Sequence, residues 1–143
     1  MFLSSVTEHG VAPALEKTLA FQEERLKMIA ENIANAQTPG YRTKQLDVTG
    51  FQNSLREAMT ERRENGNVFV VENEREFGTD EYGYLTVTPS ETPVENALFH
   101  DGTNISMEQK MADLAQTGLW NDLAAKLLQT KFDGLRKAIR GTV

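Results

Sequence analysis

Residues 31–41 read ENIANAQTPGY. A run of helix formers gives way here to amides and then to Pro39-Gly40. Thr38 precedes a proline, which disfavours the helical region for it, and Pro39-Gly40 suits the centre of a type II turn. The stretch therefore marks the end of a helix and a change of chain direction. Upstream, Leu15, Leu19, Gln22, Leu26, Ile29 and Ile33 recur at alternating spacings of four and three. That predicts a helix over 11–35 with a coiled-coil-like seam and one polar position, Gln22. Pro13 fits its first turn, where the missing N–H costs nothing.

Asn32 and Asn35 lie three apart and share a helix face. Asn35 reads as a C-terminal stop. Asn32 sits beside Ile29 and Ile33 on the apolar side. Two readings stay open for it: a polar helix end, or a buried amide that fixes register between helices at some cost in stability.

The second pattern lies at the other end. Ser106 followed by Gln109 matches a capping box, with Ser106 as N-cap. Met107, Met111, Leu114, Gly118, Asn121, Ala125, Leu128, Phe132, Leu135 and Ile139 then alternate in spacings of four and three, and Gly141 follows as a stop. The expectation is a helix over 106–140, roughly 50 Å long at 1.5 Å per residue. A helix of that length outruns the globule that a chain of 143 residues makes. It predicts packing against something outside the chain.

Between the two helices the patterning weakens. Thr49 is a candidate cap for a short helix carrying Phe51, Leu55, Ala58 and Met59. Val68–Val71 and Tyr84–Val87 read as two short strands of a small hairpin. The expected fold class is mainly α: long N- and C-terminal helices paired as a coiled-coil-like hairpin, with a small irregular middle. The expected division is 1–42, 43–103 and 104–143, with the two ends forming one packing unit.

Net charge is −6 and cysteine is absent. The first argues against general nucleic-acid binding, which needs a basic surface. The second excludes disulfides, thiolate metal sites and cysteine nucleophiles. No run reaches the roughly 18 apolar residues of a membrane span. The N-terminus lacks a basic stretch and carries Glu8 and Glu16, unlike a cleavable secretory signal. Lys126, Lys131, Arg136, Lys137 and Arg140 cluster against one acid, Asp133. They suit the last turns of a helix or, alternatively, an acidic partner.

Catalytic chemistry finds little support. His9 and His100 lie far apart without motif-spaced carboxylates or serines. A small metal-dependent hydrolase would have to join them to Asp80 and Glu81. Asp80-Glu81 reads instead as a solvated turn, and Asp101-Gly102-Thr103-Asn104 as turn chemistry leading into the helix. No phosphate loop or nucleophile elbow is present. Neither a cofactor nor a small-molecule substrate is expected.

The run Asn32, Ile33, Ala34, Asn35, Thr38, Pro39, Gly40, Tyr41 and Arg42 resembles the N-terminal motif of the flagellar rod and hook family. The C-terminal helix is similar too, from Asn104-Ile105-Ser106-Met107 through Lys131-Phe132 and Leu135-Arg136 to Ala138-Ile139-Arg140-Gly141. With the short length, it looks most like the small proximal rod subunits. The resemblance implies a structural subunit of a helical tube that transmits torque, located in the periplasmic rod and exported through the flagellum's own apparatus. It implies as partners other rod subunits, copies of itself, and basal-body junction and export-gate proteins. The expected contact residues are Leu15, Leu19, Leu26, Ile29, Asn32, Ile33, Asn35, Thr38, Pro39, Gly40 and Tyr41 at one end. Met111, Leu114, Leu128, Phe132, Leu135 and Ile139 are expected at the other. The rival reading is a soluble helical-hairpin binding module, such as an export chaperone or adaptor.

Overall fold

The computed structural model describes residues 11–66, 68–72, 75–91 and 103–141. Three helices carry most of it: α1 (Ala12–Ala34), α2 (Val48–Asn65) and α3 (Thr103–Arg140). Four short strands form two antiparallel pairs. β1 (Lys44–Gln45) pairs with β4 (Ser90–Glu91), and β2 (Phe77–Thr79) pairs with β3 (Leu85–Val87). The expected mainly helical class, with the two terminal helices packed together, is the observed one.

Helix α1 is buried on two stripes, about a third of a turn apart at 3.6 residues per turn. Ala14, Lys17, Phe21, Met28 and Asn32 make the first. It faces the middle of the chain, where Phe21 stacks on Phe51 at 4.0 Å between ring centroids and meets Phe77 edge-on at 6.0 Å. Ala58, Phe69 and Val71 close this core. The second stripe is the expected seam, on the side taken up by α3. Ile29 is buried there, and Leu15, Leu19, Gln22, Leu26 and Ile33 are half-buried.

Helix α2 starts on Asp47, not Thr49: the Asp47 carboxylate accepts from Gly50 N–H at 2.8 Å. Asp is as good an N-cap as Thr, and it leaves Val48 free to pack against the core. The helix is longer than expected and ends on Gly66 at φ +69°. Phe51, Leu55 and Ala58 face inward as expected, whereas Met59 is exposed.

Tyr84–Val87 contributes a strand at Leu85–Val87, but its partner is Phe77–Thr79 and not Val68–Val71. The reason is a side chain standing in for a ladder. The Thr79 hydroxyl donates to the Val71 carbonyl at 2.9 Å and accepts from the Val71 N–H at 3.0 Å. Phe69 and Val71 are buried without strand pairing.

Helix α3 begins at Thr103, so Ser106 lies inside it and is not the N-cap. Its inward stripe is Leu114, Thr117, Asn121, Ala124, Leu128 and Leu135. The small residues Thr117 and Ala124 are buried, at 0% and 6% exposure, where Gly118 and Ala125 were expected. Both sets keep the same spacing, so the periodicity does not choose between them. Met111 and Ile139, expected in the seam, are exposed at 56% and 70%. His9, His100 and Asp101 lie outside the described residues.

Because Phe21 joins α1, α2 and β2 in one aromatic cluster, its truncation should be costly. Phe21→Ala is expected to lower unfolding free energy by about 3–5 kcal/mol. Urea unfolding followed by circular dichroism checks this; a loss under about 1 kcal/mol would contradict the core assignment.

Candidate assembly surface

The end of α1 is built by amides, as the sequence suggested, but the two asparagines do different work. Asn35 is the C-cap. Its Nδ2 donates to the Glu31 carbonyl at 2.9 Å, and its carbonyl accepts from Thr38 N–H at 2.9 Å. Tyr41 N–H then donates to the Thr38 carbonyl at 3.2 Å, closing a turn in which Gly40 stands at φ +77°. That is the φ of the third position of a type II turn. A Cβ at Gly40 would meet nothing within 4 Å, so the requirement is one of backbone conformation, not of space.

Asn32 is 5% exposed and lies on the core stripe of α1. Its Oδ1 accepts from Lys44 N–H at 2.9 Å and its Nδ2 donates to the Lys44 carbonyl at 2.7 Å. The Tyr41 hydroxyl donates to the same Oδ1 at 3.0 Å. The amide thus pairs with a backbone peptide as a strand residue would. The helix-to-helix register reading is corrected: Asn32 locks the returning chain onto α1. Its spacing from Ile29 and Ile33 could not reveal this, because the partner is backbone twelve residues on.

The lock spreads outward. Lys44 Nζ reaches Glu31 at 2.7 Å, and Arg42 pairs with Glu91 at 3.2 Å across β1–β4. Lys44's hydrogen bond and charge hold the Glu31 carboxyl below its ordinary value; the same hydrogen bond holds the Lys44 ammonium above its own. Glu76, buried at 9% exposure, ties three segments together. Its carboxylate accepts from Asp47 N–H and from the Ser90 hydroxyl. Sequence reasoning missed Glu76, which looks like one acid in an acidic run.

Away from the joint, α3 keeps an uncovered apolar flank. Trp120, Leu123 and Leu127 follow each other at helical spacing and are 52%, 46% and 50% exposed. Trp120 also walls a cleft of about 360 Å³ where the three helices meet, with Gln22, Phe51, Leu55 and Gln116. Of the expected contact residues, Leu114, Leu128, Phe132 and Leu135 are half-buried, and Thr38, Pro39 and Gly40 are exposed. Asp80 caps its own turn and, among the described residues, no group of carboxylates and histidines is arranged to hold a metal. No helix among these residues is long and apolar enough to cross a membrane.

Residues 14–42, which hold α1 and the joint, match the model of a family described as flagella basal body rod protein. The chain is 30% identical over 118 residues to the flagellar basal body rod protein FlgB of Borrelia hermsii, spanning 81% of this chain and 85% of that one. The chain belongs to the flagellar basal body rod proteins. It is also 24% identical over 135 residues to FlgB of Bacillus subtilis, with 92% and 95% of the two chains covered. FlgB of Salmonella typhimurium matches at 24% over 142 residues, or 89% and 96%. No solved structure matches significantly. As a rod protein the chain is a structural component of the basal body, and the family match falls on the segment whose hydrogen bonds define the joint.

Two outcomes follow from the joint. Asn32→Leu leaves the Lys44 N–H and carbonyl without partners and should cost about 2–3 kcal/mol, whereas Gly40→Val should cost about 1–3 kcal/mol through its positive φ. Denaturant midpoints at neutral pH check both. The Glu31–Lys44 pair sets a pH dependence. A lowered carboxyl value means its stabilisation is present above the ordinary carboxylate range and is lost as pH falls through the folded-state value. The stability gap between the wild type and Glu31→Gln should therefore shrink below about pH 4. A gap that stays constant from pH 7 to about pH 3 would contradict the pairing.

Proposed function

We propose that this chain builds the rod by lending the uncovered flank of α3 to neighbouring subunits. The observation that carries the reading is the row Trp120, Leu123 and Leu127, half-exposed beside a cleft on a helix of 38 residues. At roughly 100° per residue the row points about a quarter turn away from the inward stripe of α3, so α1 does not cover it although Trp120 lies beside Gln22. At 1.5 Å per residue α3 exceeds α1 by roughly 20 Å. A contiguous apolar row of this kind is a contact surface rather than a tolerable exposure. When one face of a subunit meets a different face of the next, the contact repeats without closing and yields a filament.

In this reading the partners are other rod subunits and copies of the chain, with basal-body junction and export-gate proteins at the rod's end. The tube lies in the periplasmic section of the flagellum, proximal in the rod, and is reached through the flagellar export route. Met111 and Ile139 are exposed on other sides of α3 and offer further contacts there, and the exposed turn Thr38-Pro39-Gly40 offers a patch beside the α1 end. The two terminal segments act as the packing unit, and the middle serves as a brace on α1. The joint transmits torque because its turn has little freedom: Pro39 holds φ, and hydrogen bonds fix the exit. The role is structural, with no reaction assigned.

Leu127→Asp tests the reading. The side chain is half exposed in the free chain, so unfolding free energy should change by no more than about 0.5 kcal/mol. A charge driven into an apolar contact should exclude the subunit from the rod. The expected result is loss of the variant from isolated basal bodies and loss of motility. Normal incorporation with normal motility would overturn the assignment.

A further inference from the structure

The β2–β3 turn presents two tyrosines to solvent: Tyr82 is 78% exposed and Tyr84 73%. The turn itself is firmly held. Asp80 Oδ1 accepts from Tyr82 N–H at 3.0 Å and Tyr84 N–H at 2.8 Å. Asp80 N–H donates to the Tyr84 carbonyl at 2.9 Å, and Gly83 N–H donates to the Asp80 carbonyl at 3.0 Å. Gly83 takes φ +86°, a value favouring glycine. From α1, Lys17 Nζ donates to the Gly83 carbonyl at 2.8 Å and to the Thr79 hydroxyl at 3.2 Å.

Lys17 is 5% exposed. Burying an ammonium is costly, and an apolar residue would fill that volume at less expense. The lysine contributes something packing alone does not: it anchors the turn to α1 at one carbonyl. The result is a rigid turn bearing large side chains that the fold leaves in water. Such side chains lose little entropy when they bind, and tyrosine is the residue type that dominates contact energies.

The chemistry of the turn selects the partner. Glu81 is exposed between Asp80 and Tyr82, and the segment 43–102 holds twelve acids against five bases. Carboxylates pair with cations, and tyrosine rings accept them on their faces. The complementary surface lies on the same chain. Residues 126–140 hold five bases and one acid. Arg136 is paired with Asp133 at 3.4 Å, but Lys126, Lys137 and Arg140 are exposed and make no ion pair with a described residue. Within one copy the elements that carry the two surfaces lie on different stripes of α1, about a third of a turn apart. The hairpin rests on the Lys17 stripe of α1, and α3 packs along the other stripe.

We propose that the Tyr82–Tyr84 turn of one copy docks on the basic C-terminal half of α3 of a second copy. Different faces meet, so the contact is heterologous and repeats along a row. It is polar and salt-sensitive, distinct from the apolar flank at Trp120–Leu127. It rests on the reading above that copies associate. Lys17 and Asp80 are positioning residues; Glu81, Tyr82 and Tyr84 make the contact.

The test is zero-length carbodiimide cross-linking of full-length chain, mixing unlabelled and heavy-isotope-labelled copies. The expected product joins Glu81 of one copy to Lys126 or Lys137 of the other, identified by mixed-isotope peptides. It should disappear as ionic strength rises from about 0.01 to 1 M, where the screening length falls from about 30 to 3 Å. Glu81→Lys should abolish the link, and Glu81→Lys combined with Lys137→Glu should restore one between the reversed positions. Tyr82→Ala/Tyr84→Ala should reduce its yield, with thermal unfolding unchanged. Sedimentation of the same samples separates the two readings. Association without the link, or with links at other positions, overturns this contact alone. No association and no link overturns both it and the association of copies on which it rests. A link formed only after a different rod subunit is added overturns the choice of a second copy.

Discussion

The return of the chain from α1 into its middle depends on one side-chain amide paired with one peptide group. Asn32 holds Lys44 by both its N–H and its carbonyl, and Tyr41 completes the set. A helix side offers no backbone partners to a strand, so a strand laid beside it normally leaves its polar groups to water. An inward-facing asparagine supplies one donor and one acceptor with the spacing of a peptide. Once Lys44 is fixed, β1 has a defined position, β4 can pair with it, and Asp47 is set to begin α2. The aromatic cluster of Phe21, Phe51 and Phe77 then has all its walls.

The consequence for assembly is a division of labour between the two stripes of α1. One is spent on the chain's own middle and the other on α3. Helix α1 is thereby buried on two stripes, and α3, longer by fifteen residues, on one. The stability of the free chain sits on α1 and its braces. In the proposed assembly the remaining contacts belong to α3 and to the hairpin turn, one apolar and one charged. Apolar burial is non-directional, whereas charge complementarity fixes orientation and register. A rod subunit needs both, since its position along and around the tube has to be unique.

The sequence made α1, its end at Asn35 and the Pro39-Gly40 turn legible, because each rests on local rules: periodicity, capping and φ preference. The length of α3 was legible for the same reason. Its inward flank was not. Thr117–Ala124 and Gly118–Ala125 keep the same seven-residue spacing and are all small, so the pattern does not choose between them. The middle was harder. Thr79 replaces a strand ladder with a hydroxyl, so Val68–Val71 has the composition of a strand without the pairing. Lys17, Asn32 and Glu76 are buried polar groups whose partners lie nine or more residues away. Such pairs leave no periodic trace.

In the proposed assembly the chain's own core covers two stripes of α1 and leaves much of α3 to its neighbours. Backbone hydrogen exchange on the unassembled chain tests it most directly, because protection reports local opening free energy. Strong protection is expected through Phe21–Ile33 and through Lys44, and fast exchange from about Ala125 to Arg140. Uniform, strong protection along the whole of α3 at low protein concentration would mean that the chain covers this helix by itself, and would contradict the claim.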